Sequence, residues 1–202
     1  MSYDLIRLDD EKKGDEKDGQ GAGGPMAKLF QSRTIIVSKG VDDELARSVI
    51  GQLFALEQDD PEKVITVIVN SPGGSADCGF AMLDAMRFVS CPIRTITMGL
   101  SASAGVMIHL GGDKGQRFIT PHSRFLLHQP SMRTMGQASD IEIVASEIER
   151  IRAVYNGVVS EATGKPMDEI SAQADRDFWL SATQAVEYGL ADRIIATRGE
   201  LG

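Results

Sequence analysis

The chain has 202 residues, a formal net charge of −8 and a pI near 4.9, with 42% hydrophobic, 25% charged and only 5% aromatic residues. That balance fits one domain with an aliphatic core. It offers no general attraction for phosphate backbones, and no apolar run approaches the ~18 residues of a membrane span.

Taken in chain order, residues 1–25 come first. MSYDLIRLDD lacks the basic region and apolar stretch of a signal peptide. DDEKKGDEKD carries six acids and three lysines, and GQGAGG follows it. Such a composition cannot bury enough surface to offset the entropy of ordering it, so residues 1–25 are expected to be a flexible acidic, Gly-rich segment. Residues 26–202 are the expected folded domain, with regular structure beginning near Lys28. Thr34–Ser38 reads as a strand. Asp42–Leu56 reads as a helix capped by Asp42 or Asp43, with Leu45, Val49, Ile50, Leu53 and Leu56 at helical spacing. Val64–Asn70 has the unbroken apolar character of a strand buried on both faces.

Ala76–Val89 follows as a helix, Ile93–Met98 as a strand, and Ser101–Gly112 as a small, apolar, buried helix. Arg117–Thr120 and Phe125–His128 read as short strands. Met135–Ala162 is the longest helical stretch, with a stripe of Ile141, Val144, Ile148, Ile151, Val154 and Val158. Thr183–Tyr188 is a short helix closed by Gly189, and Leu190–Ile195 a last strand. The strand–helix alternation implies an α/β fold with parallel pairing. A long striped helix on so small a body calls for a partner subunit as cover. Cys78 and Cys91 lack CxxC or zinc spacing and read as reduced thiols of a cytoplasmic protein.

Three segments could carry chemistry. Ser71-Pro-Gly-Gly-Ser75 follows a buried strand, and its glycines let amide N–H groups converge on an anion or a developing oxyanion; a plain tight turn would use the same residues. Ser101-Ala-Ser-Ala-Gly105 places a serine among small neighbours at a helix start. Of three histidines, His128 ends an apolar strand before a proline, His109 suits a packed interior and His122 a surface loop. Asp175-Arg-Asp177 runs into an apolar strand and offers a carboxylate to orient an imidazole, or a local ion pair with Arg176.

These segments resemble the ClpP family, the proteolytic subunit of the ATP-dependent Clp protease. VNSPGGS, TMGLSASAG, GDKGQRF, LLHQPS, GQASDIEI, EATGKP and DRDFWLSATQAVEYGLAD match family blocks in order, from about Lys28 to Ala196. The resemblance implies Ser103 as nucleophile, His128 as base and Asp177 as orienting acid, at separations of 25 and 49 residues. It implies Gly74 and Ala104 N–H groups as oxyanion donors, and Gln137, Asp140 and Arg176 as ring-to-ring contacts. It further implies a crotonase-like head with a protruding handle helix in stacked heptameric rings. No metal or other cofactor is implied. The expected partners are like or different ClpP-type subunits, a hexameric AAA+ ATPase and unfolded polypeptides, without nucleic acid or membrane.

The sequence also departs from the family pattern. Ala104 stands where Met is common. Thr66 and Ile68 stand where aromatics often line the ATPase-docking pocket, with Ile96, Met98 and Phe118 completing it. Val144 and Ser146 replace a common His and Arg. These departures and the unusual N-terminus suggest one of a set of paralogues. Two alternatives are a catalytically weak ClpR-like subunit of a mixed ring, and a crotonase-fold acyl-CoA enzyme using Gly74 and Gly105 amides.

Overall fold

A computed structural model describes residues 24–131 and 134–201. The expectation for residues 1–25 therefore lies almost wholly outside the described part. Regular structure begins three residues before Lys28, with α1 (Pro25–Gln31), whose first-turn proline sets its start. Then follow β1 (Thr34–Val37), α2 (Asp43–Asp59), β2 (Ile65–Ser71), α3 (Ala76–Phe88), β3 (Ile93–Ala102) and α4 (Ala104–Leu110). After β4 (Arg117–Ile119) and β5 (Arg124–Leu127) comes the long α5 (Ala138–Thr163). The chain continues through α6 (Met167–Gln173), β6 (Phe178–Ser181), α7 (Ala182–Tyr188), β7 (Arg193–Ile194) and a 3-10 turn over Arg198–Leu201.

Local chemistry accounts for the boundaries. Asp42 caps α2 by accepting from the Leu45 N–H at 2.7 Å, and Ser75 caps α3 by accepting from Cys78 N–H at 3.3 Å. Gly164 and Gly189, both left-handed, end α5 and α7.

One parallel sheet runs β1-β2-β3-β4-β7, and β5 joins it through β3 and carries β6 antiparallel. Strand β3 is the hinge of this layout. Thr95–Thr97 pair with β4, whereas Leu100–Ala102 pair with β5. The change of neighbour falls at Gly99, whose φ of +103 lets the strand bend. A side chain there would also meet Asn70 Oδ1 at 2.7 Å. Asn70 Oδ1 instead accepts from the Leu100 N–H at 3.1 Å.

The core lies between the sheet and α2, α3 and α4, and is aliphatic as the composition requires. Leu53, Met82, Leu83, Met86, Met107 and Ile108 are fully buried, with Phe125 the one aromatic among the largest such side chains. Each stabilises the fold by roughly 1.5–3 kcal/mol through burial. Cys78 and Cys91 are buried free thiols. No helix among the described residues is long and apolar enough to cross a membrane.

Helix α5 divides in two. Tyr155, Asn156 and Val159 are buried against the body, whereas Ala138–Ile143 are all exposed. The stripe expected from the sequence stays half-bare, with Ile141 at 45% and Val154 at 42% exposure.

Candidate active site

The bend at Gly99 carries the end of β3 to the β5 side of the sheet, and there the chain turns abruptly. A helix from Ser101 was expected. Ser101 and Ala102 instead complete the strand, and α4 begins at Ala104. Ser103 between them has φ +53 and ψ −121, a backbone state that costs a non-glycine residue about 1–3 kcal/mol. The surroundings over-determine it. Ser103 N–H donates to Leu126 O at 2.9 Å, and Ser103 O accepts from Val106 N–H at 2.9 Å. All seven residues of α4 are buried, which fixes the elbow from behind.

Beside this elbow lies the Ser71–Ser75 turn. Gly73 and Gly74 have φ of +86 and +152. A Cβ on Gly73 would meet Ser103 Cβ at 2.7 Å and Ala104 N at 3.1 Å, so the turn lies directly against the serine. A Cβ on Gly74 would meet Val41 O at 2.3 Å. Gly73 N–H donates to Ser71 Oγ and Ser75 N–H to Val41 O. Among the described residues, the Gly74 and Ala104 amides donate to no acceptor. Unpaired N–H groups near a half-buried serine are what an oxyanion hole would require.

Strand register brings in the other two side chains. Ala102 pairs with Leu126 across β3 and β5, and Leu127 pairs with Phe178 across β5 and β6. Ser103 and His128 are each one residue past the end of their strand, and Asp177 is one residue before β6. One further step of the antiparallel register sets His128 opposite Asp177. All three emerge at one end of adjoining strands. Ser103 and His128 are half-buried and Asp177 is exposed. Their side chains make no hydrogen bond to one another.

The remaining histidines separate cleanly. His109, on α4, is fully buried; its Nδ1 lies 2.9 Å from Thr97 Oγ1, and its ring meets Phe125 edge-on at 4.9 Å. Burial, with the positive charge of Arg117 second, depresses its pKa to about 3. It is neutral and inaccessible. His122 is exposed on the turn before β5.

Around Asp177 the sequence reading missed two residues. Gln129 Nε2 donates to both Asp175 O at 3.1 Å and Asp175 Oδ1 at 2.5 Å, and Gln129 Oε1 accepts from Arg152 of α5 at 3.3 Å. The only sequence signal was adjacency to His128. The side chain of Arg176 is 95% exposed and reaches no closer than 4.0 Å to Asp175. Gln137 and Asp140 stand at the start of α5, where Asp140 Oδ2 accepts from Gln137 N–H at 3.3 Å.

The side chains named for docking gather on a different part of the sheet. Thr66, Ile68, Ile96 and Met98 line a cavity of about 410 Å³ with Leu29, Arg94 and Leu201 among its other walls. Thr66 and Ile68 alternate with buried Val67 and Val69, so they project from the sheet face away from the core. Phe118 is not in the lining. It is buried beneath the guanidinium groups of Arg94 and Arg193, 5.9 and 5.4 Å from its ring centre.

A family model described as Clp protease matches residues 18–198. Among solved structures, a mutant of ClpP1 from Listeria monocytogenes matches with a TM-score of 0.81 at 37% identity. That match covers 87% of this chain and 98% of the other.

Proposed function

The chain belongs to the Clp protease family and has the ClpP-like fold, and from that premise we propose that it is a serine endopeptidase cleaving unfolded polypeptides. Ser103 Oγ attacks the peptide carbonyl while His128 accepts its proton. The oxyanion is held by Gly74 and Ala104 N–H. Asp177 orients the imidazole and stabilises the imidazolium. His128 then protonates the leaving amine; a water deprotonated by His128 attacks the acyl carbonyl, and the Ser103 Oγ–acyl bond breaks as His128 returns the proton to Oγ, freeing the carboxyl product. In this reading α5 is the handle on which heptameric rings stack, with Gln137, Asp140 and Arg176 at the ring junction. A hexameric AAA+ ATPase delivers substrate and docks at the Thr66–Ile68–Ile96–Met98 cavity.

The observation that carries the reading is the shared strand-end geometry. An elbow serine, two unused amides and a register that aligns His128 with Asp177 meet at one place. A catalytically weak structural subunit is the second reading, favoured by the missing side-chain hydrogen bonds among the three. Catalytic hydrogen bonds are often long in unliganded enzymes, which favours the first.

A fluorophosphonate probe distinguishes them. The assembled protein is expected to form an adduct on Ser103 that the Ser103→Ala variant does not form. An assembled protein that stays unlabelled, or is labelled elsewhere, rejects the peptidase reading.

A further inference from the structure

We propose that Gln129 is a positioning residue that sets the place of Asp177 and ties it to helix α5. This rests on the peptidase reading above. The β5–β6 ladder ends at Leu127 and Phe178, immediately before the two residues that must meet. Beyond that rung the backbone pairing stops, and no side chain among the described residues bonds the Asp177 carboxylate. Gln129 continues the pairing by side chain, gripping the backbone carbonyl and the carboxylate of Asp175 with one amide nitrogen. Asp177 therefore lies between two fixed points, the Phe178 rung on one side and the Gln129 grip on the other.

The same amide has a second end. Arg152 Nη1 donates to Gln129 Oε1 at 3.3 Å, and Arg152 Nη2 donates to Ser171 Oγ of α6 at 3.2 Å. Arg152 lies where α5 passes from its exposed half to its buried half. A cation on the carbonyl and a carboxylate at the NH2 allow only one orientation of the Gln129 amide. Displacement of the exposed half of α5 is thus transmitted through Arg152 and Gln129 to the turn bearing Asp177. These contacts are exposed or only partly buried and add little stability. Their effect is geometric, and small misplacements of a catalytic group can cost up to about 100-fold in rate.

The test exploits that polarity. Gln129→Glu keeps the size and the Arg152 contact but sets an acceptor against the Asp175 carboxylate. It is expected to lower kcat for a short fluorogenic peptide about 10- to 100-fold, with KM and the assembly mass by native mass spectrometry unchanged. Adding Asp175→Asn supplies the missing donor and is expected to restore most of the lost kcat. A Gln129→Glu enzyme with wild-type kcat, a loss carried by KM, or a double variant no better than the single one overturns the proposal. Ser103→Ala serves as the control. If it retains turnover, the peptidase reading fails, whatever the Gln129 variants do.

Discussion

The serine end and the acid end of the site are held by different means. Ser103 is fixed by backbone. Its amide and carbonyl are bonded, α4 is buried behind it, and the Gly73–Gly74 turn admits no Cβ beside it. Asp177 is exposed, and its turn is anchored by side chains. The lesson, on the proposed peptidase reading, is that the nucleophile is built by the subunit's own core, whereas the acid depends on surface contacts that an assembly can complete. Substitutions at the serine end should cost stability and activity together. Those at the acid end should cost activity while the fold persists.

The largest expected effect tests the acid end. Asp177→Asn should lower kcat about 10⁴-fold in the assembled enzyme, with an unchanged thermal midpoint. A large fall in the midpoint would break the contrast. Next comes Gly74→Ala, which should lose about 100- to 1,000-fold in peptide turnover by displacing an oxyanion donor. It should also be less stable to urea, because its Cβ would meet Val41 O at 2.3 Å with φ at +152. Wild-type urea stability would show that the turn adapts.

Acid should weaken the fold through a histidine buried behind the serine. His109 stays neutral in the fold to about pH 3, whereas in the unfolded chain it protonates near 6.5. The unfolded state therefore binds more protons between those values, and stability falls as pH drops from about 6.5 toward 3. The slope approaches about 1.4 kcal/mol per pH unit. Urea midpoints for His109→Gln should be flatter with pH than those of the unaltered protein. Smallest of all, Arg176→Ala should change subunit stability by less than about 0.5 kcal/mol, its one ion pair among the described residues being 4.0 Å long and exposed. Native mass spectrometry of that variant reads whether the arginine joins rings instead.

Much of the fold was legible because its signals were local. Asp42 capping α2 and Gly189 after α7 each declare themselves by residue type and position. Helices α1 and α6 escaped notice because α1 buries no residue and α6 buries only Ile170, leaving little periodicity to read. The last strand shrank to Arg193–Ile194, its flanks serving as turns. The start of α4 was misplaced because Ser101–Gly105 is uniformly small and has no period. The bend at Gly99 is a matter of φ, which residue type permits but does not announce. Within the site, Ser103, His128 and Asp177 were nameable through motif resemblance. Their alignment was not, because it depends on the β5–β6 register between segments some fifty residues apart. Gln129 stayed hidden for the same reason: its partner Asp175 lies 46 positions away.

The half-bare helix α5 has a consequence for any measurement made on this protein. Ile141 and Ile143, 45% and 69% exposed, keep their apolar surface in water unless another molecule covers it. The free energy of that cover enters by mass action, so it scales with the logarithm of protomer concentration. A melting temperature quoted for this chain is therefore one point on a dilution curve. Subunits strongly diluted in vitro would be a different thermodynamic species from the same subunits crowded at the site of their synthesis.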